Sequence, residues 1–379
     1  MSGLAHALAA RWVLAAFPRL ARRRRTVWAI AAAMSVMPII ARAMTSRAYA
    51  SASSTFYAIA TIEVAALVIA IVPVTAISLA IAGRKKREAR EVPAEAREIV
   101  GRREAVSRGL GVAVFGATAG TLGWGSLRGR HDFALEEVVV RVAGWPRALE
   151  GYTIAQVSDV HVGAFVGERE LGEGFELVAR ARPDLVVATG DLVDFRADVI
   201  DLLAAKLASV GARDGAACIV GNHDHYAGAA EVVERLRAAR LNVLCNESLH
   251  LRRGDGGGFA LLGVDDLQGR TRPQPGHHGP DLSRALANVS PDLPRILLAH
   301  QPRYFLESAG RVALQLSGHT HGGQINPGFR PADLLMTFVA GRYERAGSTL
   351  WVNRGFGVAG PPSRIGAPPE VTKIVIVSA

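Results

Sequence analysis

Residues 1–130 and 131–379 follow two different patterns of apolar and polar positions. In the first part, long uncharged stretches alternate with clusters of Arg and Lys. Thr26–Ala41 runs 16 residues without a charge, Val64–Gly83 runs 20 and Gly109–Leu127 runs 19. A helix needs about 20 apolar residues to cross a bilayer, so the last two are long enough. The first is marginal and depends on its flanking residues to snorkel. Leu4–Phe17 is shorter and carries His6 and Arg11, which suits a helix lying in a membrane interface. The pattern changes at about Glu136. Tyr152–Asp159, Asp184–Asp191, Ala216–Asp224, Phe259–Asp266, Arg295–Gln301 and Val312–His319 are short apolar runs that end in polar residues, as buried strands do. Glu170–Ala181, Val199–Val210 and Ala229–Ala239 have helical spacing between them. Strand–helix alternation predicts an α/β domain with largely parallel pairing.

Charge sharpens the division. The net of +10 over 379 residues suggests a nucleic-acid binder until it is located. Residues 1–130 carry 19 Lys and Arg against 6 Asp and Glu, a net of +13; residues 131–379 carry 25 against 28, a net of −3. The positive charge therefore flanks the apolar stretches, a membrane pattern, and nucleic acid is not expected as a partner. Arg22–Arg25 precede the first stretch, Arg84–Arg87 follow the second, and Arg102, Arg103 and Arg108 precede the third. Basic segments stay cytoplasmic. That places the link Arg42–Thr55 outside, Arg84–Arg108 inside and everything after Arg128 outside again. The expectation is a multi-pass protein of the cytoplasmic (inner) membrane with residues 131–379 as an extracytoplasmic domain. Gly101–Gly120, with its Arg pair and Gly/Ala-rich run, resembles an internal twin-arginine signal; cytoplasmic anchoring explains the pair more simply. Cys218 and Cys245 sit apart in apolar runs with no CxxC, so small core residues are expected rather than a zinc ribbon or redox motif.

Candidate chemistry gathers at the strand ends, where ligands collect in open α/β sheets. Five of the six runs finish on Asp, His or Asn. These are Asp159 and His161 in "SDVH", Asp191 in "GDLVD", Asn222, His223 and Asp224 in "GNHD", His300 in "LAHQP", and His319 and His321 in "GHTH". Carboxylates, imidazoles and one amide without thiolate suit Mn, Fe or Zn. Asp191 follows Gly190 and could bridge two ions. Two ions about 3.5–4 Å apart would clamp a phosphate and lower the pKa of a bridging water enough to make hydroxide at neutral pH. His223 is placed to protonate the leaving oxygen, with Asp224 beside it to orient or polarise it.

The order D-x-H, GD-x-x-D, GNH-D, H and GH-x-H resembles the calcineurin-like metallophosphoesterase superfamily over roughly Gly151 to Ser378. The run "SGHTHGGQI" and the tail "WVNRGFGVAGPPSRIGAPPEVTKIVI" are similar to its bacterial membrane-associated phosphodiesterase-like subgroup. The resemblance implies a four-layer αββα sandwich. It implies a first metal on Asp159, His161, Asp191 and His321, a second on Asp191, Asn222, His300 and His319, and His223 as general acid. It also implies a phosphoester or pyrophosphate substrate, in this subgroup one that can be lipid-linked, such as UDP-diacylglucosamine.

His225 is expected at the rim of the site, and His277 and His278 in a solvated loop. Asp194 and Asp265 are expected at strand ends or behind the ligands. Arg354 and Arg364 would meet a phosphate or pin the tail. Pro331–Gly341 would face acyl chains or, more simply, form a core helix. Two other functions compete with a membrane-anchored phosphoesterase: an extracytoplasmic nuclease or nucleotide phosphatase, and a non-catalytic receptor or scaffold. The −3 balance gives a polyanion no basic track, and the full ligand set argues against lost catalysis.

Overall fold

The computed structural model describes residues 1–47, 51–88, 96–254 and 257–379. They divide into two compact units, Met1–Ser126 with Gly360–Ser363, and Leu127–Ala359 with Arg364–Ala379.

The first unit is helical: α1 (Ser2–Ala16), α2 (Arg24–Arg47), α3 (Ser51–Glu88) and α4 (Ala96–Leu127). Three stretches, Arg19–Thr45, Ala52–Thr75 and Arg108–His131, are long and apolar enough to cross a membrane. The first reaches 27 residues because it takes in part of the 3-10 helix Pro18–Arg23 before α2 and runs past the uncharged core to Thr45. Ile30, Ile39, Ile59 and Val112 point outward, an apolar exposure that a water-facing surface avoids. The segment expected as an interfacial helix is α1, which packs on α2 and α3. The indole of Trp12 occupies the space that a Cβ at Gly111 would need, so α1 and α4 approach closely only because position 111 has no side chain. The links Arg42–Thr55 and Arg84–Arg108 lie partly outside the described residues.

The second unit holds two six-stranded sheets. Its strands are β1 (Ala134–Val142), β2 (Tyr152–Val157), β3 (Leu185–Thr189), β4 (Ala216–Ile219), β5 (Asn242–Val243) and β6 (Glu247–Arg252), then β7 (Gly258–Gly263), β8 (Arg295–Leu298), β9 (Leu314–Ser317), β10 (Gly341–Arg345), β11 (Ser348–Val352) and β12 (Glu370–Ser378). The first sheet has the order β1-β12-β2-β3-β4-β5 and the second β10-β11-β9-β8-β7-β6. All six apolar runs seen in the sequence are strands, and β2–β5 and β7–β9–β11 pair parallel. The sheets are nonetheless mixed. β12 enters antiparallel beside β2, β6 pairs antiparallel with β7, and β10 with β11.

Alternation along each strand builds the layers. Ile154, Leu185, Val187 and Ile219 of the first sheet meet Leu261, Ile296, Leu298 and Leu316 of the second in a shared core. The opposite face, with Ala155, Val157, Val186 and Ala188, packs against α5 (Glu168–Ala181), α6 (Ile200–Ser209) and α8 (Ala229–Ala238), the three helices whose spacing was legible. A short helix, α7 (Asn222–Ala227), precedes α8. On the outer face of the second sheet, Ala260, Leu262 and Leu297 are covered by Leu282, Ala285 and Tyr304. The result is the four-layer αββα sandwich. Cys218 is buried in β4 and Cys245 half-buried after β5, both as free thiols.

Candidate metal centre

The loops after β2, β3, β4, β8 and β9 converge, and each brings its own polar cluster. Five candidate ligands, Asp159, His161, Asp191, His319 and His321, have φ between +51° and +73°. Left-handed backbone costs a non-glycine residue on the order of 1 kcal/mol. Five such residues at one place mean that surrounding bonds enforce the conformation. Gly221 and Gly318 permit the close packing. A Cβ at Gly221 would strike Asp191, and one at Gly318 would strike Ser158 and Asp159.

Asp159, fully buried, accepts the His319 amide at 2.8 and 2.9 Å and stands 3.5 Å from His321 Nε2. His321 Nε2 lies 3.1 Å from His161 Nε2. Asp191 Oδ2 lies 3.7 Å from His161 Nε2 and 3.2 Å from His300 Nε2. His300 Nε2 is in turn 3.3 Å from His319 Nδ1. Thus Asp159, His161 and His321 form one convergent set, Asp191, His300 and His319 another, and the Asp191 carboxylate faces both. Separations of this size are the edges expected around cations held by N and O at about 2.0–2.2 Å. Asn222 Oδ1 is buried without a hydrogen-bond partner, an acceptor that a cation would satisfy.

Electrostatics favour the ligand form at His161, His319, His321 and Asp191, whereas burial raises Asp159 to about 6 and, against burial, Asp191 holds His300 well above the usual imidazole range, so these two release a proton on binding a cation. Burial, reinforced by the charges of His223 and Arg364 respectively, holds His161 and His321 well below the usual imidazole range. Burial and His300 bring His319 down to about 4. These rings are therefore neutral, the state that binds metal. Burial disfavours the Asp191 carboxylate, yet the charge and bond of His300 outweigh it and hold Asp191 well below its ordinary value. The His300 ring is fixed from behind by Nδ1, 2.8 Å from the Thr189 carbonyl oxygen. That directs Nε2 toward Asp191.

His223 stands at the edge of the cluster, its ring perpendicular to His161 with centroids 4.5 Å apart. Its amide donates to Asp191 Oδ1 at 2.7 Å. The partner expected for it is replaced. Asp224 turns away: Oδ1 accepts the amides of Leu192 and Val193 and Oδ2 accepts that of Gly221, so it ties the Asp191 loop to the start of α7. A carboxylate committed to three backbone donors has no geometry left for the neighbouring imidazole. Asp194 faces His223 Nδ1 instead, with Oδ1 at 3.5 Å and its carbonyl oxygen at 3.2 Å. Burial opposes the imidazolium, but the Asp194 bond and the nearby carboxylates raise His223 to about 9. Asp194 was visible as the second Asp of "GDLVD"; only folding reveals which way it faces.

The choice left open for Arg364 is decided, and other expectations change. Arg364 is buried, donates to the carbonyl groups of Arg354, Gly355, Gly357 and His321, and reaches His321 Nδ1 at 3.1 Å. It pins the tail behind a ligand. Arg354 pairs with Glu370 and Glu136. His225 and His277 are buried rather than at a rim or solvated, because both face Asp265. Pro331–Gly341 is no core helix: only Pro331–Leu334 forms a turn of 3-10 helix, and Leu334 and Leu335 are 81% and 87% exposed. Leu335, Met336 and Phe338 line a cavity of about 540 Å³, together with Leu306, Arg303 and the candidate ligands Asn222 and His319.

Residues 152–323 match the family model for calcineurin-like phosphoesterases. An uncharacterised metallophosphoesterase of Bacillus subtilis strain 168 is 31% identical over 291 residues, covering 73% of this chain and 98% of the relative. The chain belongs to the metallophosphoesterase family. A bovine protein described as a transmembrane protein with a metallophosphoesterase domain is 34% identical over 265 residues, 67% of this chain and 60% of its own. The chain thus spans less than two thirds of that relative. A 5'-nucleotidase precursor from Thermus thermophilus aligns at a TM-score of 0.37 and 16% identity, over 60% of this chain and 54% of that one.

Proposed function

We propose that residues 131–379 are a dinuclear-metal phosphoesterase domain, anchored by membrane helices within residues 1–130, that hydrolyses a phosphodiester or pyrophosphate with an apolar arm. The observation that carries this reading is the convergence of seven donor side chains from five separate loops beside a cavity with an apolar wall. Asp159, His161, Asp191 and His321 would hold one cation, and Asp191, Asn222, His300 and His319 the other. Two divalent cations held there, with Mn, Fe or Zn the best chemical fit, would supply Lewis acidity toward a phosphoryl group and toward an attacking water. The chain's own residues do the rest. His223 donates a proton to the leaving oxygen, and Asp194 orients the imidazole and keeps it protonated. Asp224 and Arg364 hold the ligand loops in place. Leu335, Met336 and Phe338 receive the apolar arm, and the basic flanks of the helices set the domain outside the cytoplasm.

The test is hydrolysis of a generic phosphodiester and the matching monoester by the detergent-solubilised full chain with added manganese, beside an Asp191→Asn control. Diester cleavage that disappears in the control is the expected result. Cation binding without turnover of either ester, across acyl-linked and water-soluble substrates, sinks the catalytic reading.

A further inference from the structure

Among the described residues that line the cavity of about 540 Å³, Arg303 is the one Arg or Lys. Its place follows from the chain around it. Arg303 lies three positions after the candidate ligand His300, in the 3-10 turn Pro302–Tyr304. Proline at the start of that turn fixes the backbone just before Arg303. Gln301 is tied down by its side-chain amide, which donates to the Asp266 carboxylate at 3.0 and 3.2 Å. On the other side, Tyr304 and Phe305 are buried in the core. Its neighbours are committed to the interior, and the Arg303 side chain is left exposed on the cavity lining.

An exposed arginine often pairs with a carboxylate one helical turn away, and Glu307 stands four positions on. Glu307 is already taken. Its two oxygens accept Arg270 Nη1 and Nη2 at 2.9 and 2.8 Å. Arg270 is braced in turn over the Tyr304 ring, 5.9 Å from its centroid. The Arg303 guanidinium is therefore left without a hydrogen bond or ion pair to any described residue. Its charge still reaches the site, as one of those that hold the His319 imidazole down. A guanidinium offers its N–H donors as a fork that matches two oxygens of a phosphate or carboxylate. The cations would take up the phosphoryl group that is cleaved, so this fork is free for another anionic group. Leu306, Leu335, Met336 and Phe338 share the cavity and offer an anion nothing.

We propose that Arg303 is a specificity-determining residue that binds a second oxyanion of the substrate, a phosphate or carboxylate group beyond the phosphoryl group at the cations. The inference rests on the phosphoesterase reading above and narrows it. The substrate is then an amphiphile with two anionic groups rather than a simple phosphodiester. The apolar residues of the cavity hold its apolar arm, and Arg303 fixes its polar end.

Three matched dodecyl phosphodiesters test this, with the second alcohol arm ending in a hydroxyl, a carboxylate or a phosphate. The detergent-solubilised full chain with added manganese is expected to show a KM about tenfold or more lower for a charged arm than for the hydroxyl arm, as one charge-assisted contact allows. Arg303→Ala abolishes that preference, and Arg303→Lys, which keeps the charge without the fork, restores part of it. Arg180→Ala, which removes an exposed arginine outside the cavity lining, keeps it. A preference confined to one charged arm names the group. Binding of the same esters to the chain stripped of cations by chelation is measured alongside by calorimetry. If no diester is cleaved, the phosphoesterase reading fails, and the binding comparison alone decides the role of Arg303. A wild type without the preference, a preference that survives Arg303→Ala, or an equal loss on all three esters overturns the proposal.

Discussion

His161 and His321, 160 positions apart in the chain, meet nitrogen to nitrogen, with Nε2 3.1 Å from Nε2. Burial holds both rings well below the usual imidazole range, so neither carries a positive charge that would force them apart. Two neutral rings aimed at one point, beside Asp159 and Asp191, are arranged for a shared cation. His161→Ala is accordingly expected to lower bound metal and to reduce phosphoester hydrolysis by more than about a hundredfold, beyond the ~10–100-fold typical of losing an outer partner. Elemental analysis alongside turnover checks this; unchanged metal content in a folded variant contradicts it.

His223 and Asp194 make a prediction in pH. His223 is raised to about 9 because the Asp194 bond and nearby carboxylates outweigh burial. A proton donor with a raised pKa keeps its proton through neutrality, and activity falls as pH climbs through that value. Asp194→Asn removes the negative charge and should move the alkaline limb of kcat/KM to lower pH. His223→Ala should cost ~10²–10⁴ in turnover while metal content stays constant. The loss should shrink for a phenolic leaving group that needs no proton. An alkaline limb at the same pH in wild type and Asp194→Asn excludes Asp194 as the positioning partner.

Asp224 separates scaffold from chemistry. Its carboxylate satisfies the amides of Leu192, Val193 and Gly221, all in buried surroundings. Asp224→Ala leaves three donors without an acceptor and should lower stability by about 3 kcal/mol or more. Denaturant unfolding of the solubilised chain measures it. The pH profile of the remaining activity should keep its wild-type limbs, which a group acting directly on His223 would shift.

Leu335 tests the apolar wall. It is 87% exposed beside the cavity, where an acyl chain would cover it. Leu335→Asp should reduce kcat/KM for a long-acyl phosphodiester by about tenfold or more, in line with burying one leucine at about 1.5–3 kcal/mol, and leave a water-soluble diester unaffected. Equal losses on both substrates would assign the residue to folding rather than recognition.

How much of this was legible in the chain differs between elements. The strands β2, β3, β4, β7, β8 and β9 and the helices α5, α6 and α8 follow from apolar periodicity, since each buries one or two faces against a neighbour. The short, half-exposed β6 and β10 carry weak alternation. β12 joins the first sheet from the far end of the chain, a pairing that no local pattern encodes. Gly190 before Asp191 marked one ligand loop, because a tight turn needs it; the need for Gly221 and Gly318 shows only in the fold, where a Cβ at either would strike a neighbouring loop.

The sequence by itself determined where the charge lies, which stretches are long enough for a membrane, which runs become buried strands and which residue types end them. Those are properties of composition and of spacing along one strand or helix. Tertiary structure alone decided that Asp194 rather than Asp224 faces His223, that Arg364 lies behind His321, and that Leu335 stands open beside the cavity. It also decided that His225 and His277 share one buried corner with Asp265. Orientation depends on which backbone donors have already claimed a side chain. That competition exists only once distant loops meet.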